Sequence, residues 1–197
     1  MLYKLAHIIK ERLSFVWDLF EWINAALFSV SHANKLKTLP SLLEQCSNDY
    51  IYRLADLTDV DALVEFFREQ PENAFEFFKP HEFDAKSITK IIKNKSFLTF
   101  VVCKDNQIVG YFFLRCFING KCFRGKMVHK DWQGRGIATR LGKVTSKIIK
   151  LLELRMFGSI SPDNLASLQS AKASNDIRIH RTLDNGYYYI EFLPKED

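Results

Sequence analysis

Apolar residues recur at intervals of three and four through the first thirty positions of the chain. This period places them on one face of an α-helix, so the sequence predicts a single long helix between Leu2 and Val30. Such a face must be covered, and we expect it to pack within the chain or against a second copy rather than on a membrane. The face consists of Leu2, Leu5, Ile9, Leu13, Val16, Phe20, Ile23, Leu27 and Val30.

A change of pattern near position 50 divides the chain in two. Asn34–Thr38 and Pro40 indicate a connection, so we expect a helical extension, residues 1–49, followed by one domain, residues 50–197. In that domain, short apolar runs with strand character alternate with helical periods. The predicted strands are Tyr50–Ala55, Ser96–Cys103, Ile108–Phe117, Lys121–His129, Arg155–Ser159, Ile177–Leu183 and Tyr187–Phe192. The predicted helices are Asp59–Phe67, Asn73–Lys93 with an interruption at Pro80, and Ile137–Leu151. Together these elements indicate a mixed α/β fold.

A glycine-containing loop before the last of these helices carries the clearest chemical signal. Its sequence is Gln133-Gly134-Arg135-Gly136-Ile137-Ala138. Glycine lets backbone N–H groups turn toward a ligand without a clash from Cβ. The first turn of the following helix offers unpaired N–H donors at the positive end of its dipole. The loop therefore predicts a phosphate site.

Positive charge is concentrated around this loop. The residues from Lys121 to Lys150 contain nine basic side chains and one acid, Asp131, whereas the net charge of the whole chain is only +5. The resulting field favours a polyanionic ligand. Arg140 and Lys143, in the first helical turns, are placed to meet phosphates, and the basic stripe beyond them is expected to be a solvated helix face.

The spacing of the loop excludes two common phosphate-binding motifs. The chain has no Walker loop, which needs Gly, four residues and then Gly-Lys-Ser/Thr, and its glycines do not follow the Gly-x-Gly-x-x-Gly order of dinucleotide-binding folds. Gln133, Gly136 and Ala138 instead fit Gln/Arg-x-x-Gly-x-Gly/Ala. This pattern resembles the acyl-CoA pyrophosphate loop of the GNAT acetyltransferases.

The surrounding sequence strengthens the resemblance, which covers Tyr50 to Leu193. Two strands joined at Asn119-Gly120 precede the loop and a periodic helix follows it, in the order that the family has. Asn164 resembles the family's asparagine at a strand end, which opens the next helix and contacts the pantetheine arm or the substrate. The resemblance implies a mixed, mostly antiparallel central sheet, flanked by helices, whose central strands splay apart to admit the cofactor.

The resemblance also implies which residues hold acetyl-CoA, the acyl donor. Backbone N–H groups near Met127 and Val128 would polarise the thioester carbonyl as an oxyanion hole, and the loop would hold the pyrophosphate. The cofactor-binding candidates are thus Met127, Val128, Gln133, Gly134, Arg135, Gly136, Ile137, Ala138, Thr139, Arg140 and Asn164. No metal is expected.

Two features of the family's chemistry are missing from the chain. Many relatives carry, seven residues after the asparagine, a tyrosine that protonates the leaving thiolate, but this position is Ala171. The strand Lys121–His129 also has no carboxylate to serve as a base. The catalytic candidates are therefore His81, in an aromatic segment on the acceptor side, and Tyr187, at the start of the last strand.

Composition fits a globular enzyme in the cytoplasm. Of the 197 residues, 47% are hydrophobic, which is enough for a substantial core. The four cysteines have no CxxC spacing, so we expect reduced thiols and neither a zinc site nor a disulfide frame. Asp18 and Glu21 interrupt the apolar run of the extension, so a membrane-spanning helix is not expected.

The resemblance implies an acetyl-CoA-dependent N-acetyltransferase that acts on a primary amine. Phe77–Phe83 would form an aromatic acceptor wall and resembles segments of relatives that act on sugars, so the expected acceptor is a small molecule, in particular a nucleotide-linked amino sugar. The alternatives are a protein or peptide N-acetyltransferase, a domain that binds acyl-CoA without turnover, and a basic nucleic-acid-binding module, for which the chain lacks a recognition-helix or zinc signature. We expect no nucleic-acid partner, and a homodimer through the N-terminal helix remains open.

Overall fold

The structure of the protein is a computed structural model that describes residues 14–195. The helices are α1 (Ser14–Ser31), α2 (Ala33–Cys46), α3 (Val60–Arg68), α4 (Ala85–Lys93), α5 (Ile137–Leu152) and α6 (Leu165–Ser174). The strands are β1 (Ile51–Leu54), β2 (Phe97–Lys104), β3 (Gln107–Cys116), β4 (Lys121–Val128), β5 (Arg155–Ile160), β6 (Asn175–Thr182) and β7 (Tyr188–Pro194). Within residues 14–195, none of the helices has both the length and the apolar character needed to cross a membrane.

All seven strands lie in one sheet, in the order β1-β2-β3-β4-β5-β7-β6. Neighbours are antiparallel except β4 and β5, which run parallel. This parallel pair is short: its register runs from Lys121 opposite Arg155 to Phe123 opposite Phe157, although both strands continue further. The two strands therefore separate toward their C-terminal ends. The predicted mostly antiparallel sheet with splayed central strands is confirmed. We call the gap between the separated ends of β4 and β5 the opening; the glycine loop follows β4 in the chain.

The sheet separates two hydrophobic clusters. Leu43 of α2 and Leu141 of α5 belong to the cluster on one face, which we call the helix α5 face. Phe67 of α3 and Ile88 of α4 belong to the cluster on the other face, which we call the acceptor face. Strands β2 and β3 are covered on both sides, so their residues form nearly continuous buried runs instead of alternating.

The predicted connection between the extension and the domain is wrong. Asn34–Thr38 and Pro40 lie inside α2, and the chain breaks instead at His32, between α1 and α2. A proline removes one donor from a helix and destabilises it. However, Leu39 and Leu43 of α2 are almost completely buried in the core, so tertiary packing outweighs the local signal. The part of the predicted long helix before Ser14 lies outside the described residues.

Helix α1 contacts the domain through polar side chains, and most of its apolar face is not covered within the chain. Asn24 Nδ2 donates to the Cys116 carbonyl oxygen at 2.9 Å, and Glu21 pairs with Arg115 at 2.6 Å. Exposed to solvent instead are residues of the predicted apolar face, namely Phe20, Ile23, Leu27 and Val30.

The predicted helical region Asn73–Lys93 is helical only near its ends. A short 3₁₀ turn spans Glu72–Phe75, and α4 forms the other end. Between them, Pro80 lacks a backbone donor and disfavours helical conformation in the preceding residue. His81 consequently lies in an irregular segment.

Helices α5 and α6 approach each other closely at Gly142. A Cβ atom at this position would collide with the side chain of Ser174 in α6. The absence of a side chain at Gly142 lets Ser174 lie directly against α5. The Ser174 hydroxyl donates to Oδ1 of Asn175, the first residue of β6, at 3.1 Å. Ser174 is the last residue of α6, so this contact fixes the C-terminal end of α6 against α5.

Candidate active site

The glycine loop has the geometry of an anion-binding helix start. Gly134 and Gly136 have φ angles of 74° and 75°, a conformation that residues with a Cβ disfavour. A Cβ added to either glycine would meet no atom within 4 Å, so both positions face open space. Gly136 is the N-cap of α5, and no side chain of the described residues caps this helix. Its first amides are therefore free to bind an anion.

Side chains on either side of the loop brace it. Gln133 Nε2 donates to the Val128 carbonyl oxygen at 3.3 Å, which ties the loop to the end of β4. Arg135 stacks on Trp132, with its guanidinium carbon 4.5 Å from the ring centroid, and donates to the Asp131 carbonyl oxygen at 3.1 Å. Of the predicted cofactor residues, Gln133 and Arg135 thus use their side chains to hold the loop in shape.

Backbone amides of β4 point into the opening. The His129 amide donates to the Val109 carbonyl oxygen of β3 at 3.0 Å. Successive residues in an antiparallel strand point their amides in alternate directions, so the Met127 amide also faces β3. The amides of Lys126 and Val128 face the opening between β4 and β5. This geometry favours Lys126 and Val128, rather than Met127 and Val128, as donors to a carbonyl oxygen there.

Asn164 lies between β5 and α6, next to the same opening. Its Oδ1 accepts the Ser167 amide at 3.0 Å, which makes it the N-cap of α6. Within the described residues its Nδ2 makes no hydrogen bond. The side chain therefore combines a structural bond with a free donor.

His81 lies among aromatic rings and uses both of its ring nitrogens. Nδ1 lies 2.7 Å from the Glu82 carbonyl oxygen, which only accepts, so Nδ1 carries the hydrogen. Nε2 then accepts the hydroxyl of the fully buried Tyr111 at 2.8 Å. Burial lowers the pKa of His81 below its ordinary value, which favours this neutral tautomer. Phe67 and Phe83 are among the rings around it.

The aromatic segment around His81 is part of the core and not an open wall. Phe78 and Phe83 pack against the hydrophobic cluster of the acceptor face. A Cβ on Gly125 of β4 would collide with Phe113, which lies across it. The segment therefore packs against the same cluster as α3 and α4.

The structure does not bring Tyr187 together with His81. Tyr187 lies at the turn between β6 and β7, where its amide donates to Asn185 Oδ1 at 3.3 Å. No hydrogen bond or ring contact joins it to His81 among residues 14–195. Ala171 is fully buried in α6. Tyr189, two residues later, stacks on Phe157 of β5.

Residues 95–171 match the family model described as acetyltransferase (GNAT) domain. This part of the chain is therefore similar to a GNAT acetyltransferase domain. The matched region includes β4, the glycine loop and Asn164. Among curated proteins, none matches the chain significantly.

Solved GNAT structures share the fold at low sequence identity. The structure of AAC(6')-Ib with paromomycin and acetyl-CoA has a TM-score of 0.60 at 13% identity, over 75% of this chain and 94% of its own. The ribosomal-protein-S5-alanine acetyltransferase of Vibrio fischeri has a TM-score of 0.61 at 17% identity, over 77% and 96%. RimJ of Mycobacterium smegmatis, in complex with CoA-disulfide, has 0.62 at 16% identity, over 74% and 81%. These likenesses establish the fold.

Two partly buried cations beside the opening were not predicted. Lys126 Nζ donates to the Ala138 carbonyl oxygen at 2.6 Å and lies 2.7 Å from Ser170 Oγ. Arg124 donates to Asn175 Oδ1 at 2.9 Å, but its Nη2 is buried without a partner among the described residues. Both side chains point to the helix α5 face, beside the opening. Their alternation along β4 was visible in the sequence, but nothing local indicated that the strand would separate from its neighbour here.

The environment of Lys126 favours its neutral form. Burial is the main cause and the positive charge of Arg124 a second one, and together they lower the pKa of Lys126 to about 7. Burial also lowers the pKa of Arg124, to about 9. No carboxylate pairs with either side chain in the part of the chain that the structure describes. A neutral amine is therefore available in the opening near pH 7, where the expected carboxylate base is missing.

The basic stripe of α5 continues away from the loop along a surface groove of about 680 Å³. Arg140, Lys143, Lys147 and Lys150 line it, and all four are exposed, as expected for a solvated face. Arg140 lies 3.8 Å from Asp49 at the end nearest the loop.

Proposed function

We propose that the protein is an acetyl-CoA-dependent N-acetyltransferase that transfers the acetyl group to a primary amine of a small molecule. One observation carries this proposal: the uncapped start of α5 lies at the same opening into which the amides of Lys126 and Val128 point. A pyrophosphate and a thioester carbonyl are the two groups of acetyl-CoA that need such donors.

The residues around the opening fit this cofactor. The amides of Ile137, Ala138 and Thr139, with Gly134 and Gly136 providing the turn, would hold the pyrophosphate. Arg140 would add positive charge at the edge of the site. Asn164 would donate from Nδ2 to the pantetheine arm, and Gln133 would keep the loop in place. Acetyl-CoA supplies the activated acyl group, and no metal is needed for this chemistry.

Transfer requires a neutral amine and a path for its proton. The amine nitrogen forms a C–N bond with the acetyl carbon, the C–S bond breaks, and a proton leaves the amine while the thiolate gains one. We assign the acceptance of the amine proton to the neutral Lys126. His81, with Tyr111, remains the candidate that orients the acceptor from the other face, and Tyr187 remains a candidate for protonating the thiolate.

The acceptor class is supported less directly. The GNAT neighbours include enzymes named for aminoglycosides and one named for an alanine of ribosomal protein S5, so the fold accommodates both small molecules and proteins. We favour a small molecule, in particular a nucleotide-linked amino sugar, and retain a peptide amino terminus as the alternative. The four free cysteines fit a reducing cytoplasm.

Calorimetry with acetyl-CoA and with duplex DNA tests the cofactor assignment. We expect micromolar binding of acetyl-CoA that the DNA does not displace. Binding of DNA that excludes acetyl-CoA would support a nucleic-acid module instead. A screen of amine acceptors that follows the release of free CoA then tests turnover. Tight binding with no CoA release on any amine would identify a domain that binds acyl-CoA without catalysis.

A further inference from the structure

A group of exposed cations lies on the acceptor face, next to the opening. We call it the cationic face and define it by Lys121, Arg155, Arg178 and Arg181, all of which are exposed. Lys121 of β4 stands opposite Arg155 of β5, while the two other arginines lie on the edge strand β6. The face thus extends from the central strands to the edge of the sheet.

Aromatic rings form the floor between these cations. Phe157 and Tyr189 are stacked, with centroids 5.5 Å apart and planes inclined by 5°, and Phe123 lies within 6.2 Å of each. The guanidinium carbon of Arg155 is 5.3 Å from the Phe157 centroid, and that of Arg181 is 5.7 Å from the Tyr189 centroid. Cation–π attraction keeps these charges over the floor.

The carboxylate within this group is already engaged. Glu191 accepts from Arg155 Nε and from His180 Nε2, each at 2.8 Å, and its side chain is only 3% exposed. The hydrogen bond from Arg155 is the main cause that lowers the pKa of Glu191 to about 2. Arg178 Nη1 also lies 3.8 Å from this carboxylate. Glu191 is therefore ionised and offsets part of the charge of Arg155 and Arg178. Four basic residues and one bound acid leave the face with a net positive charge.

The position of the face relates it to the reaction. Phe123 and Phe157 form the last paired position before β4 and β5 separate. Tyr189 stands opposite Ser159, beside the opening itself. A molecule that lies on the cationic face would therefore extend toward the place where the thioester is expected.

We propose that the cationic face binds the phosphate of the acceptor, so that the substrate is an anionic, phosphorylated amine. This rests on the proposed N-acetyltransfer and narrows its substrate class. A polycationic acceptor such as an aminoglycoside would meet four like charges. A phosphorylated amino sugar, by contrast, would exchange water for charge-assisted bonds from arginine. The partly exposed ring of Tyr189 adds an apolar surface for a sugar or a base.

A matched pair of acceptors tests the proposal. Glucosamine and glucosamine 6-phosphate present the same amine and differ in one phosphate, and kanamycin serves as the polycationic probe. We expect kcat/KM for the phosphorylated sugar to exceed that for glucosamine at least tenfold, to fall with added KCl, and to be lowest for kanamycin. Equal rates for the two sugars, or a preference for kanamycin, would overturn the proposal while leaving acetyl transfer intact.

Charge-reversing variants locate the effect. Arg178→Glu with Arg181→Glu should lower kcat/KM for glucosamine 6-phosphate about 10- to 100-fold and leave glucosamine nearly unchanged. Lys37→Glu, on α2 at the other face of the sheet, is the control. If no acceptor is turned over, calorimetry can measure the binding of glucosamine 6-phosphate in the presence of saturating CoA. The CoA then occupies the glycine loop, so the sugar phosphate cannot bind there. Binding that the double variant retains would contradict the assignment.

A second, independent feature is the exposed apolar side of α1. Seven of the twelve exposed large hydrophobic side chains in residues 14–195 lie on this helix, because its polar side faces the domain. They are Phe15, Leu19, Phe20, Trp22, Ile23, Leu27 and Val30. The polar ties of Asn24, Glu21 and Asp18 hold the helix so that this side points outward. Apolar patches of this extent mark interaction sites on soluble proteins.

The size of this surface fits a dimer. Three of the seven side chains are aromatic, at about 150–250 Å² each, and together the seven expose on the order of 800 Å², which is what each partner contributes to a standard interface. The charges of α1 are Asp18 and Glu21, which are paired with Lys90 and Arg115. Between Ser14 and Ser31, the part of the helix that the structure describes, no cation faces an anionic lipid surface.

We infer that a second copy of the chain covers this face, through antiparallel packing of α1 about a twofold axis between Trp22 and Ile23. Phe15 would then lie opposite Val30 of the second copy, and Leu19 opposite Ala26. Each pair joins a large side chain to a smaller one, which suits interdigitation.

Sedimentation velocity tests this inference with a matched pair of variants. Leu19→Glu should give monomers, whereas Leu57→Glu should stay dimeric, although the two leucines are almost equally exposed, at 52% and 51%. Under mild oxidation Ile23→Cys should link two chains, while Phe15→Cys should not, because its copies would be about 20 Å apart along the helix axes. A wild-type monomer at every concentration would overturn the inference, as would co-sedimentation of a monomer with phosphatidylglycerol vesicles.

Discussion

Lys126 Nζ lies 2.6 Å from the carbonyl oxygen of Ala138, in the first turn of α5. The N-terminal end of a helix carries partial positive charge, so a cation placed there gains little from the helix and is further penalised by burial and by Arg124. The amine can therefore be neutral at neutral pH, and it belongs to the residue whose backbone amide faces the opening. One residue thus combines a backbone amide that faces the opening with a side-chain amine that can accept a proton near pH 7.

The pH profile of the reaction should report this amine. Lys126 must lose its proton to act as a base, so kcat/KM should rise with pH through a pKa near 7. Lys126→Met should lower the rate by roughly 10²–10⁴ and remove this limb of the profile. Lys126→Arg, which stays cationic, should be equally impaired. Stopped assays of CoA release from pH 5.5 to 9 provide the measurement. A limb that persists unchanged in both variants would assign the proton transfer elsewhere.

Gly136→Val should prevent cofactor binding. Valine is strained at a φ of 75°, and its side chain would project into the open space in front of the loop. Gly120→Val is the matched control, because Gly120 has a φ of 76°, has equally open surroundings and lies in a remote hairpin. Calorimetry should show loss of acetyl-CoA affinity only in the first variant. Equal affinities in both folded variants would remove the loop from the site.

Asn164 should contribute to both stability and turnover. Asn164→Ala removes the cap of α6, which costs about 1 kcal/mol, and also removes the free Nδ2 donor. Asn164→Ser keeps a capping oxygen but lacks the amide. We expect melting temperature to fall mainly in the alanine variant and turnover to fall in both. If the serine variant retains full turnover, Asn164 acts as a cap alone.

The test of His81 must separate a role in the reaction from a structural role as the hydrogen-bond partner of Tyr111. His81→Ala should reduce kcat/KM by roughly 10²–10⁴ if the ring positions the acceptor or moves a proton, with acetyl-CoA affinity unchanged. His81→Gln should recover part of the rate if hydrogen bonding suffices. His81→Ala also leaves the Tyr111 hydroxyl unpaired, which destabilises by about 1–3 kcal/mol. Combining it with Tyr111→Phe should restore that stability, and restoration of the rate as well would mean that His81 is structural.

Local signals predicted the parts of the site that depend on neighbouring residues. Gly134 and Gly136 predicted a loop that needs positive φ angles, and Asn119-Gly120 predicted the hairpin before it. The features that the sequence did not predict depend on packing between residues that are distant in the chain. For example, Pro40 indicated a break in the helix, but burial of Leu39 keeps α2 intact.

Long-range geometry explains the remaining gaps. Arg124 and Lys126 are recognisable as alternating strand residues, but their importance follows from the place where β4 leaves β5. The bond between His81 and Tyr111 joins residues thirty positions apart. No local pattern contains either fact.

The contact at Gly142 relates the packing of α6 to the proposed acetyl-CoA site. Ser170 lies within α6 and contacts Lys126, and Asn164 is the N-cap of the same helix. A single added methyl group at position 142 would collide with Ser174 and push the end of α6 away from α5. We expect the spacing between α5 and α6 to increase, although no residue of the glycine loop had been altered. If the opening holds acetyl-CoA as proposed, affinity for the acyl donor would depend on helix spacing, and selection for a different donor could act on a position that does not contact it.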